Sequence, residues 1–233
     1  MFSCHARPAR ALIQHNNFSL AHALYHAASL HQLRREVSQT RERAEAAMAL
    51  ARDQGFPSWL LYSTIVHGWA LSAQGQHAQA LTQIPQVLTA LQATGQRQAL
   101  PYCLAQLAEA YGRGGDDAAG LQRLAEALAV VDDTEARWWE AELYRLKGEL
   151  LLQHAIGSSD EAEACFHEAL DIARRQQAKA LELRTAMSLA RLWQRQGKRA
   201  AAHALLAPIY GWFTEGFDTA DLQEAKALLE ELS

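Results

Sequence analysis

Histidine is the residue type that comes nearest to a chemical site in this sequence. The chain holds ten histidines, and His22 and His26 are four positions apart, so they share one face of a helix. A zinc ion would need a third or fourth ligand close by, and neither an H-E-x-x-H motif nor a second ligand cluster accompanies the pair. We therefore interpret His22 and His26 as a surface pair, and the sequence predicts no metal and no cofactor.

The sequence also lacks the motifs of a catalytic nucleophile and of a phosphate-binding loop. Cys4, Cys103 and Cys165 are widely spaced without a C-x-x-C pair, and the latter two lie in helical patterns, where cysteine acts as a small hydrophobe. No G-x-S-x-G elbow occurs. The glycine-rich run at residues 112–117 (GRGGDD) lacks the Lys-Ser/Thr of a phosphate loop and ends in two acids that would repel phosphate. The sequence therefore predicts a protein that is not an enzyme.

The amino-acid composition predicts a helical protein with a hydrophobic core. Alanine (46) and leucine (34) dominate the 233 residues, whereas valine and isoleucine total 11, so the chain is expected to be helical. With 49% hydrophobic and 21% charged residues it can bury a core, and a net charge of −4 argues against a nucleic-acid binder. No apolar run approaches the roughly 18 residues of a membrane span, and no secretory signal is evident, so we expect a cytoplasmic location.

A repeat of about forty residues organises the chain. A small residue recurs at intervals of 40, 40 and 42 residues, and a large apolar residue follows each one three positions later. The pairs are Gly68 and Leu71, Ala108 and Tyr111, Gly148 and Leu151, and Ala190 and Trp193. A fainter copy is centred on Ala28. Turn glycines follow three of the pairs, at Gly75, Gly115 and Gly197, and the third copy reaches residues 156–157 there.

Each copy continues into a second helix with a small-large-small pattern, best seen in Ala162, Phe166 and Ala169. Small residues allow close approach and bulky neighbours fill the gap, so stacked antiparallel helix pairs are predicted: an all-α solenoid of about eleven helices without a sheet. Pro85 and Pro208 are expected to kink or break second helices, and residues 132–135 (DDTE) and 158–161 (SSDE) to supply N-caps. We expect residues 1–17 to be loosely ordered, residues 18–233 to form one superhelical domain, and residues 219–232 to be its capping helix.

The repeat resembles the tetratricopeptide repeat in a long variant. The strings at residues 30–36 (LHQLRRE), 137–150 (RWWEAELYRLKGEL) and 207–217 (APIYGWFTEGF) are similar to the tetratricopeptide tail of bacterial signalling proteins that combine an adenylate/guanylate cyclase domain with an AAA/STAND-type ATPase domain. The similarity covers residues 25–232. It implies a sensor or docking segment that regulates an attached or partner ATPase or cyclase, either as the excised tail of a longer chain or as a short protein of its own, and it carries over no catalytic residue.

In tetratricopeptide arrays one face of each first helix lines a concave ligand groove, and the resemblance assigns that groove here. At 100° per residue from each small residue, the groove positions hold an aromatic, a mixed and a basic group. They are Tyr62, Trp69 and Tyr102; Glu109, Arg113, Glu142, Arg145 and Glu149; and Arg184, Arg191 and Arg195. We expect a peptide or protein segment as the partner. A sensor module for a small anionic ligand that controls an ATPase, cyclase or transcriptional output is the alternative.

Charge and the chain ends give two further expectations. Residues 174–199 carry eight bases against Glu182 alone, and Glu142 and Glu149 on the preceding first helix cannot neutralise all three groove arginines. We therefore expect at least one of these arginines, with Arg191 as the first candidate, to be free to bind an anion. The alternative is that acids of adjacent repeats pair with the arginines.

The two ends of the array differ in composition. The last helix has the charged composition of a cap and the N-terminal end does not, which predicts fraying or a homodimer at the N-terminal end.

Overall fold

The fold is a series of antiparallel α-helices, as described by a computed structural model for residues 6–153 and 159–233, with side chains from residue 16. This part of the chain contains eleven helices and no strand, which confirms the predicted all-α solenoid. The helices are α1 (Ala6–Leu33), α2 (Val37–Gln54), α3 (Pro57–Ala73), α4 (His77–Ala93), α5 (Leu100–Arg113), α6 (Asp117–Thr134), α7 (Glu140–Gln153), α8 (Ser159–Arg175), α9 (Lys179–Arg195), α10 (Arg199–Tyr210) and α11 (Ala220–Leu232).

The chain divides into two compact units, Met1–Ala93 (unit 1) and Thr94–Ser233 (unit 2). Within each unit a first helix packs against its second helix: α1 with α2 and α3 with α4 in unit 1, then α5 with α6, α7 with α8, and α9 with α10 in unit 2. Successive first helices also touch one another, α1 with α3 in unit 1, and α5 with α7, α7 with α9, and α9 with α11 in unit 2. The single superhelical domain over residues 18–233 stays a prediction.

Size complementarity between paired helices explains the small residues of the repeat. In unit 2, a Cβ on Gly148 of α7 would lie 2.6 Å from Cε1 of Phe166 on α8, whose side chain is fully buried. In unit 1, a Cβ on Gly68 of α3 would lie 2.7 Å from Cγ1 of Ile84 on α4. The absence of a side chain at these two positions lets a bulky residue of the second helix reach the backbone of the first. The predicted turn glycine Gly115 adopts a left-handed φ of 86°.

The last helix closes unit 2. Leu222, Ala225, Leu228 and Leu232 of α11 are buried with residues of α9 and α10 in one hydrophobic cluster, whereas Glu230 is exposed. This arrangement matches the predicted capping composition, and the helix begins one residue after the predicted bound. At the other end α1 begins at Ala6, although no periodicity was evident before residue 18. The loose order of residues 1–17 stays a prediction.

Two kinds of local expectation can be compared with the structure. Helix α4 runs through Pro85, and α10 continues two residues beyond Pro208, so neither proline breaks its helix, and a kink at either proline stays a prediction. The run at residues 132–135 does not cap a new helix: it is the last turn of α6 followed by Glu135, which ends α6 in a left-handed conformation with φ of 56°. Cys4 and residues 156–158 lie outside the described residues, so the expectations that involve them are not addressed.

Candidate functional site

The candidate site in unit 2 is the first-helix face, the set of charged side chains that the repeat register places on one side of α5, α7 and α9. Contacts of α5 with α7 and of α7 with α9 bring these helices side by side. All but one of the charged side chains are at least partly exposed. The set consists of Glu109, Arg113, Glu142, Arg145, Glu149, Arg184, Arg191 and Arg195.

Arg145 is the most tightly held member of the first-helix face. Its guanidinium donates two hydrogen bonds to the Glu142 carboxylate at 2.7 and 2.8 Å and pairs with Glu149 at 2.5 Å. Glu149 also accepts a hydrogen bond of 2.8 Å from the hydroxyl of Ser188, which joins α7 to α9. Although burial lowers the pKa of Arg145, the two carboxylates raise it well above its ordinary value. These residues therefore form a fixed, neutralised part of the face. On α5, Glu109 and Arg113 pair with each other at 2.6 Å.

The arginines of α9 find their partners on the following helix, which the sequence interpretation missed. Arg184 pairs with Asp221 at 2.7 Å, and both side chains are 12% exposed. Arg191 pairs with Glu224 at 3.1 Å, at 40% and 37% exposure. The expectation that Arg191 is free is therefore wrong. The reason is that α11 packs against α9 and presents its own acids, in addition to those of the preceding first helix, α7.

Arg195 is the arginine of this face that remains unpaired. It lies in the last turn of α9 and is exposed, and among the described residues no carboxylate is within ion-pair distance of it.

Asp221 and Glu224 also change the charge of the first-helix face as a whole. The face as a whole is balanced, with five carboxylates against five guanidinium groups, whereas its basic end keeps an excess of one guanidinium group, because Asp221 and Glu224 stand against three arginines. The carboxylates are Glu109, Glu142, Glu149, Asp221 and Glu224, and the cations are Arg113, Arg145, Arg184, Arg191 and Arg195.

Trp69 is a core residue and not an exposed ligand contact. Its side chain is only 6% exposed, and every residue of α3 from Ile65 to Ser72 is buried. The assignment of Trp69 to a ligand groove is wrong, because α3 is covered on all sides from Ile65 to Ser72. Its neighbour His67 is buried too, with Nδ1 3.1 Å from the Gln83 side-chain oxygen.

Tyr62 belongs to an aromatic cluster in unit 1. Its ring lies 5.7 Å from Tyr25 and 6.2 Å from Trp59, measured between centroids. The rings of His22 and His26 meet edge-to-face, with centroids 4.3 Å apart, beside the same indole. Burial, and then the neighbouring His22, lower the pKa of His26. Within the described residues no group of three His, Cys, Asp or Glu side chains could hold a metal ion. The predicted histidine pair therefore has aromatic neighbours, which the sequence did not reveal.

Tyr102 lies at the start of α5 against two tryptophans of the turn before α7. Its ring stacks on Trp138 at 5.6 Å and meets Trp139 edge-on at 5.4 Å. Trp138 is 54% exposed, whereas Trp139 is buried. Sequence reasoning did not select Trp138 as a site residue, because it lies in a short 3₁₀ turn, Arg137–Trp139, where helical periodicity gives no face.

Two other features of the described chain bear on its class. Cys103 and Cys165 are free and buried, as their helical patterns predicted, and burial raises the pKa of the Cys103 thiol far above its ordinary value. In residues 6–153 and 159–233, no helix has both the length and the apolar character that crossing a membrane requires.

Comparison with known proteins identifies the fold. No family model and no curated protein sequence matches the chain. Among solved structures, the chain is similar to PlcR of Bacillus thuringiensis in complex with the peptide PapR7 and DNA, with a TM-score of 0.70 and 12% identity over 91% of this chain and 73% of PlcR. It is also similar to TPR-like repeats of a kinesin light chain from Podosopora anserina, with a TM-score of 0.56 and 20% identity over 82% of this chain and 92% of that one. The apo form of RapI is similar as well, with a TM-score of 0.59 and 10% identity over 92% of this chain and 83% of RapI. The chain therefore has a tetratricopeptide-like fold.

Proposed function

We propose that this protein is a non-catalytic scaffold whose first-helix face in unit 2 binds an extended peptide or a segment of a partner protein. The observation that carries the proposal is the repetition of partly exposed charged side chains on three successive first helices. A surface that recurs at the repeat spacing suits a ligand that runs across several repeats. The aromatic part of the predicted groove does not contribute in unit 2, except for Tyr102.

The ion pairs divide the face into a fixed part and an exchangeable part. Arg145 and Arg184 are largely buried with their carboxylates: Arg145 is fixed within α7, and Arg184 joins α9 to α11. Arg191 and Glu224 form an exposed pair that contributes only about 0–1 kcal/mol to stability, and Arg195 has no partner to lose. A ligand carboxylate can therefore bind Arg195 and displace Glu224 from Arg191 at small cost. We infer that the ligand carries an acidic side chain or a C-terminal carboxylate at this end.

The structural neighbours support the proposal at the level of the fold. PlcR was solved with a peptide, PapR7, so a protein of this fold can accommodate one. PlcR was solved with DNA as well, but the net charge of −4 and the balanced first-helix face do not favour DNA as a partner here. A peptide or protein segment is the partner that we propose for this chain.

Selection from a displayed peptide library tests the proposal. Peptides that the wild-type protein enriches are synthesised, and their affinity is measured by calorimetry for the wild type and for the double variant Arg191→Glu/Arg195→Glu. We expect enrichment of acidic sequences and a loss of about tenfold or more in the double variant, since two charge-assisted contacts become repulsive. Arg175→Glu, on the second helix α8, is the matched control and should leave affinity unchanged.

Two results would count against this function. The library could yield no enriched peptide, or the enriched peptides could bind the double variant as tightly as the wild type. A small anion that competes for Arg195 and raises the melting temperature in a wild-type-specific manner would instead support the sensor alternative.

The biological setting that we propose rests on sequence resemblance. We infer a cytoplasmic, bacterial signalling role in which the array docks to, or regulates, an ATPase or cyclase domain in cis or in trans. We also propose that the N-terminal end can pair with a second copy. The native reading frame tests the first inference, since an upstream ATPase domain would support it, and sedimentation at several concentrations tests the second.

A further inference from the structure

A cleft of about 620 Å³ lies at the edge of unit 2, where second helices end and first helices begin. It is formed by the segment before α5, the turn between α6 and α7, and the loop after α8. The amide of Gln176 donates a hydrogen bond of 2.7 Å to the carbonyl oxygen of Arg137, which ties the loop to the turn. Its lining includes Gln98, Glu135, Arg137, Trp138 and Gln176.

Trp138 provides the cleft with an indole that is open on one side. Tyr102 stacks on the ring with an interplanar angle of 30°, and Trp139 packs against it at 5.3 Å, yet 54% of the Trp138 residue surface is exposed. One face of the indole is therefore covered and the other faces solvent. Exposed tryptophans in clefts are frequent anchor points for partner side chains.

Carboxylates outnumber cations around the cleft. Arg137 is shared by Glu135 at 2.8 Å, Glu140 at 2.9 Å and Asp132 at 3.8 Å, so three acids surround one guanidinium group. Beside this group, Arg97 and Asp133 neutralise each other at 2.6 Å.

The loop after α8 brings cations of its own, but they are already engaged. Arg174 and Lys179 both bind Glu182, at 3.0 and 2.7 Å. Including these residues, and Arg175 with its partner Glu168 at 3.9 Å, six carboxylates stand against five cations, so the surroundings of Trp138 favour a positively charged ligand.

The same edge of unit 2 already contains a contact of this type. The ammonium group of Lys179 lies 5.7 Å above the ring centre of Trp212, the other strongly exposed tryptophan of unit 2. An ammonium or guanidinium group at this distance is attracted by the negative face of the indole. Trp212 therefore has an intramolecular cation, whereas the open face of Trp138 has none among the described residues.

We propose that the Trp138 cleft binds an arginine or lysine side chain from a basic segment of a partner protein. The cation lies on the open indole face, the Glu135 carboxylate pairs with it, and Gln98 and Gln176 accept hydrogen bonds from it or from the adjoining peptide. This surface is separate from the first-helix face, and the inference does not depend on the function proposed for that face.

Titration with capped peptides tests this inference. The probes contain three Gly-Arg, three Gly-Gln or three Gly-Glu repeats, and the readout is the set of tryptophan indole signals in ¹H–¹⁵N NMR spectra of the full chain. We expect the Gly-Arg peptide to shift the Trp138 signal in a saturable manner. The Gly-Gln peptide should shift the Trp138 signal with at least about fivefold lower affinity because it lacks the cation, and the Gly-Glu peptide should leave the Trp138 signal unchanged.

Variants separate the cleft from other basic-peptide sites. Trp138→Ala should reduce affinity for the Gly-Arg peptide at least about fivefold, with Trp138→Phe in between, because phenylalanine retains a weaker aromatic face. Glu135→Gln should reduce affinity without altering the indole. Trp212→Ala is the matched control, an exposed tryptophan on the same edge, and should leave affinity unchanged, as should Arg195→Glu on the first-helix face.

Several results would overturn the inference. These are equal affinity for the Gly-Gln and Gly-Arg peptides, unchanged affinity in Trp138→Ala, or a Trp212 signal that responds more than Trp138. Far-UV circular dichroism establishes that each variant is folded, and if Trp138→Ala is not, Trp138→Phe and Glu135→Gln decide the question.

Discussion

Replacement of Gly148 by alanine tests the packing rule of the repeat. Alanine is favoured over glycine inside a helix by about 1 kcal/mol, so propensity alone predicts that Gly148→Ala stabilises the protein. The structure predicts the opposite. The new Cβ would lie 2.6 Å from Cε1 and 2.9 Å from Cδ1 and Cζ of Phe166, a rigid ring that is fully buried and cannot move aside.

The expected magnitude follows from these two effects. Overpacking of a dense core costs about 1–3 kcal/mol, occasionally more. For contacts this short on an aromatic ring we take the upper part of the range, and subtraction of the propensity gain leaves a net loss of about 1–2 kcal/mol. For a chain of this length each kcal/mol lowers the melting temperature by about 2–4 °C.

A double-mutant cycle isolates the contact. The same repeat positions hold alanine with leucine elsewhere in unit 2, as Ala190 and Leu206 show, so Phe166→Leu should make room for the new methyl group. We expect Gly148→Ala/Phe166→Leu to be more stable than the sum of the single changes by about 1–3 kcal/mol. Urea unfolding monitored by circular dichroism measures all four proteins. A stabilising Gly148→Ala, or strictly additive changes, would refute the packing argument.

Three further predictions concern ion pairs and a thiol. Arg184→Ala should cost about 3 kcal/mol of stability because it removes the guanidinium group that pairs with the buried Asp221 carboxylate, whereas Arg191→Ala should cost less than about 1 kcal/mol; similar melting temperatures would contradict this. Burial alone would raise the pKa of Glu182, but hydrogen bonds from its two cationic partners hold it below the ordinary value of 4.5. Glu182→Gln should therefore cost about 1–2 kcal/mol at pH 7, and the difference from wild type should close as the pH falls below 4.5, where the carboxylate becomes protonated; a gap that persists at low pH would contradict it. Cys103 should react with a thiol reagent only after unfolding, since its thiol is buried; prompt labelling in the native state, measured by mass spectrometry, would show otherwise.

The helical architecture could be predicted because its signals are local. Gly148 and Phe166 belong to one helix pair, and a small residue matched by a bulky one at a fixed spacing indicates that pair without knowledge of the rest of the chain. The turn glycine Gly115 is local in the same sense, since its left-handed backbone requires the residue type.

The candidate site was only partly predictable, because partners between helices depend on which helices become neighbours. The 3.6-residue period places Arg184 and Arg191 on one face of α9, and both pair with α11. The period within one helix does not show that α11 becomes the neighbour whose acids neutralise them. It also placed Trp69 at a groove position, where covering of α3 from all sides makes it a core residue. Trp138 lies between helices, where no periodicity applies.

The central claim, that the first-helix face binds a peptide, is tested most directly by hydrogen–deuterium exchange of the protein with and without a library-selected peptide. Our account predicts that the peptide slows exchange in α9 and α11, around Arg191 and Arg195, and to a lesser degree in α7. The second helices α8 and α10 should exchange as in the free protein. Protection confined to the second helices, or to the turn at residues 134–139, would contradict the assignment of the ligand to the first-helix face.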